Sequence, residues 1–137
     1  DVIQIANGTA EIEECALTVL STVIASPSDG IYLCDAGSKC LGLDLGAHGN
    51  TGIKDYGLIK DHPELTVISL SEEVGKLKAN SLTDLRVGDK IEIVPNHSCS
   101  TANLTSYLVG IREGNFEKYI AVDMRSNSRM PYTGGGL

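Results

Sequence analysis

Most of this chain consists of short apolar runs rich in β-branched residues. Each run ends at a turn rich in glycine, proline, aspartate or asparagine. Leu65–Leu70 and Ile91–Val94 alternate apolar and polar residues, as half-buried strands do. The longer run from Cys15 has polar residues four apart, a spacing that fits both the period of a helix and that of a strand. Its β-branched residues favour a strand. The sequence therefore predicts a mostly β fold, an antiparallel β-barrel or sandwich with one or two short helices.

Turn signals predict which strands are neighbours. The expected hairpin turns lie at residues 26–30, 87–90 and 113–115. The stretch from Asp44 to Tyr56 contains three glycines with Asn50 and Asp55, too many breakers for the interior of an element, and predicts a surface loop.

The composition narrows the class of function. The chain has 137 residues, which fits one domain with one core. Its 42% hydrophobic and 21% charged residues exclude a disordered polar chain, and no apolar run approaches the roughly 20 residues that span a bilayer. Because the net charge is −7, nucleic acids and anionic membranes are disfavoured as partners, and a small molecule is expected.

Four cysteines, Cys15, Cys34, Cys40 and Cys99, allow three disulfide pairings, and the spacing does not choose between them. The first residues of the sequence have no basic stretch or long apolar run typical of a secretory signal, and this favours reduced thiols and a cytoplasmic location as the expectation. We therefore expect Cys15, Cys34 and Cys40 to be small apolar residues of the core.

The segment around His97 and Cys99 carries the clearest chemistry. In an extended chain, residues two apart project from one face, so an imidazole and a thiolate could meet one metal ion. This pair of ligands suits zinc, and two protein ligands suit a catalytic metal whose other positions belong to water and substrate. The spacing alone favours a buried cysteine beside a hydrogen-bonded histidine at the end of a strand over a metal site.

Four stretches in the same order resemble the D-serine dehydratase and D-threonine aldolase family, whose pyridoxal-phosphate enzymes have an alanine-racemase-type barrel. The matching stretches are Cys15–Ile24, Asp35–Lys39, Leu70–Glu73 and Gly88–Leu104. The family's metal ligands fall on His97 and Cys99. Its aldolase branch usually has an aspartate at the position of Cys99, so the dehydratase branch is the nearer match.

The resemblance implies a metal-bearing C-terminal domain of a D-amino-acid lyase that eliminates water from a D-3-hydroxy amino acid. Zinc is the implied metal, with manganese or another divalent ion possible, and it would stabilise the departing hydroxide. Pyridoxal phosphate would be bound mainly by an N-terminal α/β barrel domain, and the full-length protein would be a homodimer. Retro-aldol cleavage of the D-threonine aldolase type, or a noncatalytic β-module for packing or dimerisation, are the alternatives.

The resemblance, together with the three consecutive glycines near the C-terminus, predicts three segments. Residues 1–14 would be a leading strand from a missing barrel, 15–129 the β-domain, and 130–137 a flexible tail. The isolated chain is predicted to be inactive, because the lysine that attaches the cofactor lies on the barrel. Val74 stands where the family commonly has histidine, and either a changed substrate, reduced activity or a neutral packing change would follow.

Overall fold

In the computed structural model, which describes residues 1–45, 52–123 and 125, most of the chain forms antiparallel β-structure. The strands are β1 (Val19–Ser28), β2 (Ile31–Cys34), β3 (Leu58–Ile59), β4 (Leu65–Leu70), β5 (Gly75–Ala79), β6 (Lys90–Val94), β7 (Tyr107–Arg112) and β8 (Asn115–Ala121). The helices are α1 (Val2–Ala6), α2 (Ser38–Leu41) and α3 (Ser98–Asn103), with a 3-10 turn at Ile12–Glu14. The predicted fold class is confirmed, with three short α-helices among these residues instead of one or two.

Six of the strands form one sheet in the order β3-β6-β1-β2-β5-β4. Its two edge strands approach each other, and the Tyr56 N–H, just before β3, donates to the Val67 carbonyl on β4 at 3.1 Å. The sheet therefore curls into a nearly closed barrel, which leaves little edge exposed. β7 and β8 pair only with each other, as a separate hairpin.

The barrel interior holds the alternate side chains that the strand pattern predicts. Val23, Val67, Leu77 and Ile93 are almost fully buried together. Each such side chain contributes roughly 1.5–3 kcal/mol when it leaves water. Among the predicted core cysteines, Cys15 and Cys34 are buried and Cys40 is half-buried, and all four cysteines are free thiols.

The N-terminal segment differs from its prediction. Residues 1–14 do not form a strand: Asp1 caps α1 by accepting from the Gln4 N–H at 3.2 Å, and Ile12–Glu14 form the 3-10 turn. The apolar run remains inward-facing, since Val2 and Ile3 are buried against Val94 in a second, smaller core cluster. The side-chain cap at Asp1 favours the helix over the strand that the same apolar residues also allow.

The turn signals have mixed outcomes. The hairpins β1–β2 and β7–β8 are confirmed, and β4 has the predicted bounds. The hairpin expected around residues 87–90 is wrong, because β6 pairs with β1 and β3, and the preceding residues bind the barrel instead: the Gly88 N–H donates to the Val23 carbonyl at 2.8 Å. The predicted tail 130–137 and part of the predicted loop 44–56 lie outside the described residues. No described helix is long and apolar enough to cross a membrane.

Candidate metal centre

The segment that follows β6 turns into a helix just where the sequence suggested an extended chain. His97 has extended backbone (φ −134°, ψ 106°) and is the N-cap of α3, while Cys99 lies in the first turn of that helix. The predicted extended segment therefore ends at His97, and the same-face geometry of a continuous strand does not apply to this pair. His97 and Cys99 lie at the start of α3, His97 half-buried and Cys99 exposed.

Asn96 anchors this segment to the rest of the barrel. Its side chain is only 3% exposed, and its Nδ2 donates to the carbonyls of Asp44 and Asp55, each at 2.7 Å. These residues lie on either side of the undescribed stretch 46–51, so one amide holds both ends of the loop. The Asn96 Oδ1 is buried and accepts no hydrogen bond from a described residue.

Beside it, His97 is held by a carboxylate that is distant in sequence. The His97 Nδ1 lies 3.0 Å from the Asp44 Oδ2, and the Ser100 hydroxyl donates to that same oxygen at 2.6 Å. The Ser100 hydroxyl and, less strongly, the His97 ring lower the pKa of Asp44 below its ordinary value, against an opposing effect of burial. Because an ionised carboxylate can only accept, the proton of this contact belongs to His97 Nδ1.

The start of α3 has a second carboxylate partner. The Asp1 Oδ2 accepts from both the N–H and the hydroxyl of Ser98, each at 2.8 Å. Asp1 thus satisfies the first orphan donor of α3, and its negative charge stabilises the positive end of the helix. We call Asp1, Asp44 and residues 96–100 the site corner.

The other motifs of the sequence lie next to the site corner. The Thr101 hydroxyl of α3 donates to the Leu41 carbonyl of α2 at 3.0 Å. α2 in turn lies on the loop before β5, where the Ser38 N–H donates to the Ser71 carbonyl at 2.8 Å. A side chain at Gly37 would clash with the Glu72 carbonyl, so only glycine permits this approach. Three of the four resembling stretches therefore form one connected region.

Val74 lies in this region, half-buried and immediately before β5. Its carbonyl accepts from the Ser71 N–H at 2.9 Å, which closes the turn. The backbone role is independent of the side chain, so a histidine could occupy the position without changing the turn.

The described residues bring together only part of a metal site. Among residues 1–45, 52–123 and 125, no three histidine, cysteine or acidic side chains are placed to hold one ion. His97 and Cys99 are chemically suitable donors, because Asp44 occupies only one ring nitrogen of His97 and Cys99 is exposed. Sequence reasoning missed Asp44, which is 53 positions from His97 in a stretch whose only signal was its turn residues.

The chain is similar in sequence to a known domain family and to several enzymes. Residues 16–111 match the protein family described as "Putative serine dehydratase domain". The D-serine dehydratase of Dictyostelium discoideum is 30% identical over 115 residues, which are 77% of this chain and 29% of that protein. A 3-hydroxy-D-aspartate aldolase of Paracoccus denitrificans is 30% identical over 112 residues, 82% of this chain and 26% of its own length. The chain thus spans under a third of these relatives.

Other relatives include a protein of similar length and proteins whose structures have been solved. An uncharacterised Mycobacterium tuberculosis protein is 31% identical over 118 residues, which cover 82% of this chain and 86% of that one. The solved D-threo-3-hydroxyaspartate dehydratase of Delftia sp. has the same fold, with a TM-score of 0.76 and 24% identity over 89% of this chain and 36% of that one. Two further structures of this dehydratase are a histidine-to-alanine mutant and, two positions later, a cysteine-to-alanine mutant in the metal-free form.

Proposed function

Because this chain belongs to the serine dehydratase domain family, we propose that it is the metal-bearing C-terminal domain of a D-amino-acid lyase, with His97 and Cys99 as the metal ligands. The reaction is the β-elimination of water from a D-3-hydroxy amino acid. The observation that carries the proposal is the His97–Asp44 contact, which leaves the second ring nitrogen as the one with a lone pair.

The arrangement fits the usual surroundings of a metal-binding histidine. Such a histidine donates its other N–H to a carboxylate or carbonyl, which fixes the orientation of the ring. Asp44 provides that acceptor, and Cys99 provides a thiol within one helical turn. Further positions on the ion are left for water, substrate or another part of the protein.

An imidazole nitrogen and a thiolate sulfur favour zinc over magnesium or calcium, which prefer oxygen ligands. When bound, the metal supplies a positive charge that stabilises the hydroxide leaving the substrate. The metal-free cysteine mutant of the Delftia dehydratase supports a metal at this pair without identifying it, because that cysteine follows the mutated histidine at the same interval as Cys99 follows His97.

Pyridoxal phosphate is the second cofactor of the proposed enzyme, bound mainly by an N-terminal α/β barrel domain. The length of the relatives supports such a domain, since this chain covers only 29% of the Dictyostelium dehydratase. A homodimer in the cytoplasm completes the proposal; the free cysteines are consistent with that location.

Two alternatives have an observation each. The Paracoccus aldolase supports retro-aldol cleavage, in which His97 and Cys99 would have the same role at the substrate hydroxyl. The Mycobacterium protein, 86% of which this chain covers, has a similar domain as most of its own length, and this occurrence motivates the alternative of a noncatalytic module used for packing or dimerisation. Metal binding separates this last alternative from both lyases.

Zinc titration of the metal-free chain tests the ligand assignment. Calorimetry should find one weak zinc site, since the described residues contribute two ligands. His97→Ala and Cys99→Ala should each abolish that site, whereas the control variants His62→Ala and Cys40→Ala should retain it. Equal zinc binding by the wild type and both ligand variants would overturn the assignment.

The chain alone should neither attach pyridoxal phosphate nor consume D-serine or D-threonine, because α/β barrels of the kind that would attach the cofactor need about 250 residues. After incubation with the cofactor and borohydride, mass spectrometry should find no stoichiometric adduct on a single lysine. Such an adduct, together with pyruvate or glycine formation, would show that this chain carries the cofactor-binding half.

A further inference from the structure

The orientation of His97 depends on residues that lie outside the metal-ligand pair. Its ring is 28% exposed, so solvent alone could satisfy it, and a free neutral histidine side chain favours the tautomer with the proton on Nε2. That tautomer would place the hydrogen on the nitrogen that the proposed function needs as a ligand. Something in the chain must therefore select the other tautomer.

We infer that Asp44 is the positioning residue of the metal centre, which holds the proton of His97 on Nδ1 and presents Nε2 as the free ligand nitrogen. This inference rests on the proposed function. It extends that proposal by assigning a role to a residue that binds neither the metal nor the substrate.

Asp44 is itself fixed from two directions, which is why the contact can select a tautomer. Its backbone carbonyl accepts from the buried Asn96 side chain at 2.7 Å, so the residue before His97 sets the position of the Asp44 main chain. Its Oδ2 accepts from the Ser100 hydroxyl at 2.6 Å, so the residue three positions after His97 sets the side chain. A carboxylate held at both points loses little additional freedom when it accepts from the ring.

Ser100 helps Asp44 to select the tautomer of His97, because its hydroxyl donates mainly to the Asp44 carboxylate. Its oxygen lies 2.6 Å from the Asp44 Oδ2 and 3.1 Å from the His97 carbonyl, and its single proton can go fully to only one of them. The shorter contact, to a charged acceptor, is the stronger hydrogen bond. Ser100 therefore belongs with Asp44, and its removal should weaken the selection without abolishing it.

The alternative is a purely structural role, in which Asp44 and His97 form an ordinary surface pair that only helps to hold the loop. In that case, removing the carboxylate would change stability slightly and leave the ring proton where it was. The position of the proton is therefore the informative readout, and metal affinity is a second one.

The test uses the metal-free 137-residue chain labelled with ¹⁵N-histidine, at a pH where histidine is neutral. Two-bond ¹H–¹⁵N spectra report which ring nitrogen carries the proton, and the His97 signal among the three histidines is identified by its absence in His97→Gln. The wild type should have the proton on Nδ1. Asp44→Ala should move His97 to the Nε2-protonated form, Ser100→Ala should give a mixture, and the exposed control Asp84→Asn should change nothing.

Zinc titration of the same variants separates this inference from the function on which it rests. Asp44→Ala should weaken zinc binding by about 10–100-fold, the usual effect of removing such a partner. If the tautomer follows Asp44 but no variant binds zinc, the positioning role stands and the metal proposal fails. If zinc binds normally while His97 keeps one tautomer in both wild type and Asp44→Ala, the positioning role is overturned. Backbone amide spectra of each variant check that the fold is retained.

Discussion

The site corner and the β7–β8 hairpin follow one another in the sequence, yet they are held by opposite kinds of contact. Residues 96–100 are bound by side chains and carbonyls from Asp1, Asp44 and Asp55, between 41 and 97 positions away. The hairpin has contacts of short range, such as the Arg112–Glu117 pair at 3.2 Å and the Tyr107–Tyr119 ring pair at 5.4 Å. In the site corner, long-range polar contacts hold individual side chains in place. The named contacts of the hairpin join only residues of the hairpin itself.

The hairpin also shows that alternation does not by itself mean burial. On one of its faces the side chains are apolar and exposed: Tyr107, Val109, Ile111, Phe116 and Tyr119. A two-stranded hairpin is marginally stable without something to pack on. We therefore expect substitutions in the hairpin to have small effects on global unfolding and those near the site corner to have large ones.

A pair of isoleucines tests this contrast where the effect is largest. Ile93 on β6 is fully buried and Ile111 on β7 is 58% exposed. Ile93→Ala should lower the free energy of unfolding by about 2–5 kcal/mol, because it leaves a cavity in the barrel. Ile111→Ala should stay within about 0.5 kcal/mol of the wild type in urea denaturation. Equal losses would mean that the hairpin is part of the cooperative core.

A pair of asparagines tests the polar contacts. Asn96→Ala leaves the carbonyls of Asp44 and Asp55 without their donor and should cost about 1–3 kcal/mol. Asn115 in the hairpin donates to the Glu113 carbonyl at 3.0 Å in an exposed position, and Asn115→Ala should have little effect. The denaturation midpoints of the two variants would contradict this interpretation if they fell by the same amount.

Acid should distinguish the barrel from the hairpin by a smaller amount. The Thr22 N–H donates to Asp35 at 2.6 Å and the Ser21 hydroxyl at 2.8 Å, and these contacts hold the pKa of Asp35 below its ordinary value. Because the folded-state pKa is the lower one, the stability that ionised Asp35 contributes is fully present above the unfolded-state pKa of about 3.9. It is lost as the pH falls through the folded-state value.

Urea midpoints measured at neutral and strongly acidic pH check this direction. Asp35→Asn should be less stable than the wild type at neutral pH, and the difference should shrink in acid. Glu117→Gln in the hairpin is the control and should shift little at either pH. A difference between Asp35→Asn and the wild type that grows in acid would show that the linkage has the opposite sign.

The sequence predicted what depends on local pattern and missed what depends on distant partners. β4 and the β7–β8 turn could be predicted because alternation and turn residues lie within a few positions. The helix at Ser98–Asn103 and the Asp44 contact could not, because the acceptor of the first N–H of that helix is Asp1 and the carboxylate beside His97 comes from 53 positions away. The resemblance named His97 and Cys99 but contained no information on their geometry.

X-ray absorption at the zinc edge of the zinc-loaded chain tests the central proposal, that His97 and Cys99 bind one metal, most directly. The wild type should have a sulfur neighbour at about 2.3 Å and an imidazole nitrogen at about 2.0–2.1 Å. Cys99→Ser should lose the sulfur neighbour and Cys40→Ser should keep it. Zinc with only oxygen and nitrogen neighbours in the wild type, or a sulfur neighbour that persists in Cys99→Ser, would contradict the assignment.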